Sequence, residues 1–217
     1  MPDRERKPPV EGKQAMAREK RFGFLVDLRR CIGCQSCSVA CKQEFNVPLG
    51  RYRSWVKQVA KGVFPNTRKS FLPILCNNCE KPICVTVCPV LASYQKPDGI
   101  VEVDPHKCIG CRYCMASCPY GVRYLHPDLG IVQKCSWCSH RTEDGGQPAC
   151  VEACPASARI FGDLRDPDSE ISRRIAQNAV QPIKPEMGTA PRTFYIGLDD
   201  ITVEVKAHGH ELMHLSE

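Results

Sequence analysis

The chain has 217 residues, of which 42% are hydrophobic and 25% charged, enough for one or two small domains around a modest core. It holds no apolar run of about eighteen residues, so the sequence offers no helix to span a membrane. A formal charge of +6 invites nucleic acid as a partner, but no basic helix with interleaved aromatics is present, and nucleic-acid recognition is set aside.

Residues 1–21 read as an N-terminal extension rich in charge, with Pro2, Pro8 and Pro9, either disordered or laid across a partner. The extension lacks the apolar stretch of a secretion signal. Arg29-Arg30 is not a twin-arginine signal, because a cysteine follows at once. Work outside the cytoplasm would therefore require export with a signal-bearing partner.

Phe22–Asp27 (FGFLVD) is apolar and β-prone, and it runs into a first cysteine group, Cys31, Cys34, Cys37 and Cys41. Arg51–Ala60 then alternates around Tyr52, Trp55, Val56 and Val59. A turn near Pro65-Asn66 and an extended stretch, Ser70–Leu75, that leads into the second group suggest a hairpin insertion, carried by a first segment over residues 22–70. The second group is Cys76, Cys79, Cys84 and Cys88. Ala92–Gln95 and Ile100–Val103 flank a Pro97-Asp98-Gly99 turn, which predicts a hairpin. The third group is Cys108, Cys111, Cys114 and Cys118, and Val122–Leu125 is expected to close a compact module over residues 71–125.

The fourth group, Cys135, Cys138, Cys150 and Cys154, lies within residues 126–165 and contains an eleven-residue loop with His140, Arg141 and Gly145-Gly146, a candidate partner contact. A strand, Ala158–Gly162 (ARIFG), follows. Asp166-Pro167-Asp168-Ser169-Glu170 predicts a helix start, with the helix running to about Ala179 and Ile171 and Ile175 on one face. Pro182, Pro185 and Pro191 are expected to keep the rest of the 166–217 tail extended, and Phe194-Tyr195-Ile196 to dock on the domain or a partner.

No cysteine is left outside the four groups. The third reads C-x2-C-x2-C-x3-C-P, the spacing by which bacterial ferredoxins hold 4Fe-4S clusters, and the others are close variants. Three thiolates spaced by three residues converge on one object only if the backbone curls around it, which Gly33 and Gly110 permit. The fourth lies a helical turn further on and suits a neighbouring cluster. Pro89, Pro119 and Pro155 follow the fourth cysteines of groups two, three and four, where a proline stops a short helix; group one has Lys42 there.

Structural zinc would use paired C-x-x-C hooks, which groups two and four contain, but the three-in-a-row wraps of groups one and three do not suit it. A disulfide scaffold belongs to shorter secreted chains. An oxidised 4Fe-4S cluster with its thiolates carries roughly −2, so four of them turn +6 into about −2. His208, His210 and His214 are read as a solvated tail, and Trp55 and Trp137 as packing residues rather than electron relays. No Ser-His-Asp set, carboxylate pair or phosphate loop is evident, so no substrate-transforming site is expected.

The hairpin between groups two and three brings them into one two-cluster module, leaving groups one and four to pair, with the inner module inserted into the outer one. The fold class is α+β, two bacterial-ferredoxin-like modules with a hairpin insertion and an extended C-terminal tail.

Over about residues 22–200 the chain resembles the four-cluster iron-sulfur subunits of membrane-bound molybdopterin oxidoreductases, of the polysulfide, tetrathionate and dimethyl sulfoxide reductase type. The likeness runs through DLRRCIGCQSCSVAC, LCNNCEKPICVTVCPV, DGIVEVDPHKCIGCRYCMASCPYGVRYLHP, KCSWC with PACVEACP, GDLRDPDS and KPEMGTAPRTFYIGLD. It implies four clusters: one on Cys31, Cys34, Cys37 and Cys154; a second on Cys135, Cys138, Cys150 and Cys41; a third on Cys76, Cys79, Cys84 and Cys118; a fourth on Cys108, Cys111, Cys114 and Cys88. Some members lack the cysteine matching Cys111 and hold a 3Fe-4S cluster; this chain keeps it, so four 4Fe-4S clusters are expected.

The resemblance further implies an electron-transfer subunit of a peripheral membrane respiratory complex. Its partners would be a molybdopterin-type catalytic subunit facing the first group and a polytopic quinone-binding membrane subunit facing the third, with a c-type cytochrome subunit as a further candidate. The complex is expected on the periplasmic face, with the cytoplasmic face as the alternative. A wire for another quinone-linked complex, cytochrome-linked or a hydrogenase, would keep the same cysteines.

Overall fold

The computed structural model describes residues 20–199; residues 1–19 and the His208, His210 and His214 cluster lie outside them. The elements in chain order are β1 (Phe22–Asp27), α1 (Ser36–Phe45), β2 (Ser54–Val63), β3 (Asn66–Leu75), α2 (Ile83–Thr86), β4 (Ser93–Gln95), β5 (Val101–Val103) and α3 (Tyr113–Ala116). There follow β6 (Arg123–Leu125), β7 (Val132–Lys134), α4 (Ser139–Thr142), α5 (Ala149–Glu152), β8 (Arg159–Asp163), α6 (Glu170–Gln177), β9 (Val180–Gln181) and β10 (Thr193–Ile196).

All six residues of β1 are buried, the pattern of a central strand covered on both faces. It pairs antiparallel with β8, Phe24 opposite Phe161, and parallel with β10, Val26 opposite Tyr195. β9 completes the order β8-β1-β10-β9. Successive side chains of β1 point to opposite faces, so two cores form. Phe24 and Val26 join Trp137, Phe161 and Tyr195 in the larger one, and Leu25 joins Ile160, Ile171 and Ile196 in the smaller. Helix α6 closes the smaller core, capped by Ser169, whose hydroxyl accepts from the Ser172 N–H at 3.3 Å. Ile171 is buried and Ile175 packs beside it, as the sequence predicted.

The tail forms more structure than its prolines suggest. Pro185–Met187 makes a 3-10 turn rather than an extended run, and Phe194-Tyr195-Ile196 is an integral strand rather than a docked patch. Tyr195 is fully buried, and its hydroxyl donates to the Pro73 carbonyl at 3.0 Å, tying the sheet to β3. Tyr195→Ala is expected to cost about 3–5 kcal/mol, and Tyr195→Phe only about 1 kcal/mol. Anaerobic urea denaturation of the holoprotein measures both.

β2 and β3 form a hairpin in full register, from Ser54 opposite Leu75 to Val63 opposite Asn66. A lone hairpin is marginal in water; this one is anchored at its base by Trp55, Val56, Leu72 and Leu75 in the larger core. β4 and β5 pair around the predicted Pro97-Asp98-Gly99 turn. One expectation is corrected: the strand predicted over Val122–Leu125 starts at Arg123 and pairs with β7 instead of closing the module formed by groups two and three. The Gly130 N–H donates to the His126 carbonyl at 3.0 Å, and the His126 N–H to that of Ile131 at 2.8 Å. This short turn returns Val132 beside Leu125 before the chain can reach another strand.

Candidate metal centres

Each cysteine group combines a backbone wrap with a short helix. In groups one and three the wraps match: Gly33 and Gln35, like Gly110 and Arg112, have positive φ, which turns the chain tightly before the helix starts. A Cβ on Gly110 would lie 2.2 Å from the Gly130 carbonyl oxygen, so a side chain there has no space. The prolines after Cys88, Cys118 and Cys154 coincide with helices α2, α3 and α5 of four residues each. Lys42 takes that place in group one, and α1 runs for ten residues until Asn46 ends it in the left-handed region. The Lys42 ammonium donates to the carbonyls of Pro48 and Arg51, at 2.9 and 2.7 Å.

The cysteines assemble across groups. Cys76, Cys79, Cys84 and Cys118 line one cavity, and Cys31, Cys34, Cys37 and Cys154 another. In both, the fourth sulfur comes from a different group from the first three. Cys41 lies with Cys138 and Cys150; burial first, and then these neighbours, push its thiol up to about 12. Burial likewise raises Cys135 well above the usual thiol range, helped by Cys41, Cys150 and Cys138. Cys114 faces Cys108 and Cys111. The Cys88 sulfur accepts from the Ser93 N–H at 3.4 Å. A surface cavity of about 240 Å³ lies instead against Phe45, Arg53, Gln133 and His140 and is lined by no cysteine.

The residues fit an anionic group larger than an ion. Among the described residues, no three His, Cys, Asp or Glu side chains converge closely enough to hold a single metal ion. Backbone N–H groups of Val132, Trp137 and Ala158 donate to the sulfurs of Cys108, Cys135 and Cys154, at 3.3–3.4 Å. Arg123 lines the first cavity and Arg159 the second, and the Nη1 of each is buried with no partner. Buried donors turned on a cysteine-lined space suit a group with sulfide acceptors.

A 4Fe-4S dicluster domain matches residues 67–164, and a 4Fe-4S binding domain matches residues 29–46. Over 187 residues the chain is 48% identical to a tetrathionate reductase subunit of Salmonella typhimurium, an alignment covering 84% of this chain and 75% of that one. The chain belongs to the 4Fe-4S iron-sulfur subunit family. Other members are a sulfite dehydrogenase subunit of Allochromatium vinosum, 40% identical over 81% of this chain and 82% of that one, and the arsenate respiratory reductase iron-sulfur subunit of a Shewanella species, 35% identical over 81% and 96%. With sixteen cysteines, this iron-sulfur subunit fits four 4Fe-4S clusters.

Both tryptophans of the iron-sulfur subunit are buried, as their reading as packing residues requires. Trp137 packs on Phe24 and Phe161 while its Nε1–H donates to the Cys76 carbonyl at 3.1 Å, so it also joins group four to group two. In the group-four loop His140 meets Glu44 at 2.7 Å and Arg141 meets Glu152 at 2.9 Å. The loop is thus held to α1 and α5.

Sequence reasoning missed the buried cations. Lys134 donates to the Cys135 carbonyl at 2.8 Å and to Asn78 Oδ1 at 3.2 Å, and burial pulls its pKa down against the neighbouring sulfurs. The signal for Arg123 and Arg159 was available: each ends a C-P-x3-R run, CPYGVR and CPASAR.

Proposed function

We propose that this chain is the electron-transfer subunit of a respiratory complex, linking a quinone-reactive membrane subunit to a molybdopterin-type catalytic subunit. Bound, each 4Fe-4S cluster accepts and releases one electron. The ligand sets are Cys31, Cys34, Cys37 and Cys154; Cys135, Cys138, Cys150 and Cys41; Cys76, Cys79, Cys84 and Cys118; and Cys108, Cys111, Cys114 and Cys88. The inner module, residues 71–125, interrupts an outer one whose parts are 22–70 and 126–165, and residues 166–199 add helix α6 and the sheet strands β9 and β10. The pairing of β1 with β8 supports this arrangement, because those strands bracket groups one and four.

One observation carries the reading: the two exposed cysteines fall in the sets at the ends of the proposed series, and one of its middle sets is wholly buried. Cys34 and Cys111 are exposed, and beside them Ile32 and Ile109 are 61% and 66% exposed. Cys41, Cys135, Cys138 and Cys150 are all buried. Tunnelling weakens steeply with distance, so an electron enters and leaves where ligand cysteines reach the surface. The buried set keeps water away from the interior. Apolar residues beside an exposed cysteine suit a partner that covers it.

Among the described residues no helix is long and apolar enough to cross a membrane. In this reading the chain sits at the membrane through its partner, on the periplasmic face if exported with a signal-bearing subunit. Tagged chain isolated anaerobically in mild detergent is expected to bring down a molybdenum-containing subunit and a polytopic membrane protein with quinone. Isolation with neither, from cells growing on the respiratory substrate, would contradict the assignment.

A further inference from the structure

Arg123 and Arg159 occupy equivalent places, and the equivalence extends to single atoms. Each lies five residues beyond the fourth cysteine of its group, Cys118 or Cys154, and each opens a strand, β6 or β8. The Nη2 of Arg123 donates to the Ser93 hydroxyl, and that of Arg159 to the Ser54 hydroxyl, both at 3.0 Å. The Nη1 of each is buried and unpartnered. Arg123 Nη2 also lies 2.8 Å from Cys84 Sγ, the third cysteine of group two, and Cys150, the third of group four, has Arg159 as its main opposing charge.

Neither arginine serves a single cysteine set. Arg123 bonds Cys84 and lines the cavity of Cys76, Cys79, Cys84 and Cys118; it also bonds Ser93, whose N–H donates to Cys88 of the adjoining set, and its charge acts on Cys114 of that set. Arg159 lines the cavity of Cys31, Cys34, Cys37 and Cys154, and its charge acts on Cys150 of the adjoining set. Burial works against both charges, and cysteine sulfurs more than offset it. A buried cation is costly without an anionic partner. Here it is set between two groups of anionic ligands.

We propose that Arg123 and Arg159 are positioning residues, each a fixed positive charge shared by the two clusters of one module and holding both potentials up together. The proposal rests on the cluster assignment above. Reduction adds negative charge to a cluster, and a cation bonded to its ligands favours the reduced form. Because each charge is shared, removing it must move two potentials and not one. A merely structural arginine would not produce that pairwise pattern.

The test is an anaerobic redox titration followed by electron paramagnetic resonance on the assembled complex, with iron and labile sulfide counted for each variant. Arg123→Gln is expected to lower the potentials of the clusters on Cys76, Cys79, Cys84 and Cys118 and on Cys108, Cys111, Cys114 and Cys88, leaving the other two in place. Arg159→Gln should do the reverse, and Arg123→Lys and Arg159→Lys should restore most of each shift. Four clusters with unmoved potentials, or with all four moved alike, would overturn the inference alone; fewer than four in the unsubstituted complex would overturn the assignment. Should the glutamine variants not assemble, unsubstituted protein labelled with nitrogen-15 arginine decides. Pulsed resonance is expected to show nitrogen-15 coupling at the reduced clusters, and its absence would overturn the proposal.

Discussion

Cys118→Ala is expected to damage the cluster on Cys76, Cys79 and Cys84 and to spare the one on Cys108, Cys111 and Cys114, although Cys118 belongs by sequence to the latter group. The reason is geometric. Cys118 lies past the short helix α3 and lines the same cavity as Cys76, Cys79 and Cys84, together with Arg123. Cys154→Ala should in the same way strike the cluster on Cys31, Cys34 and Cys37, whose cavity Cys154 lines. Each substitution is expected to remove between one and four irons of about sixteen per chain. Resonance spectra of the holoprotein should show loss of the struck cluster's signal or its replacement by a 3Fe-4S signal. Loss confined to the substituted cysteine's own sequence group would show that the exchange does not occur.

Removal of iron and sulfide is expected to abolish the fold. Cys37, Cys76, Cys135 and Cys150 are themselves part of the larger core, packed among Phe24, Trp55 and Trp137. Four of the six described helices are single turns of four residues, far below the length at which a helix stands alone. Three of the four sheets among the described residues are two-stranded. Structural zinc sites contribute about 10–16 kcal/mol to small folds, against about 5–15 kcal/mol for the whole stability of an ordinary domain. Four larger centres therefore outweigh what the remaining apolar core supplies. Burial also raises Cys41 and Cys79 to about 12 in the folded chain, so the fold disfavours their thiolates unless iron is there to hold them. Chelated, desulfurised chain should lose near-ultraviolet circular dichroism and any cooperative thermal transition; a native-like apoprotein would contradict this.

What was legible in the sequence was local. The cysteine spacing, the Pro97-Asp98-Gly99 hairpin and the Ser169 helix start each occupy a few neighbouring residues, and the hairpin and helix took the expected form. The parallel pairing of Phe24 with Thr193 was not legible, because its partners lie far apart in sequence and nothing in Thr193–Ile196 distinguishes a core strand from a docked patch. The short β7 was missed because three residues, Val132–Lys134, carry too little pattern to read. At the candidate centres the sulfurs were visible and their counter-charges were not. An arginine reads as surface by default, and only the repetition of C-P-x3-R in CPYGVR and CPASAR sets Arg123 and Arg159 apart.

The most direct test of the central claim is an elemental count joined to a redox titration of anaerobically isolated protein. About sixteen irons and sixteen labile sulfides per chain, with four separable one-electron centres of 4Fe-4S character, is the predicted result. Protein that is colourless, carries stoichiometric zinc and releases no sulfide on acidification would contradict it.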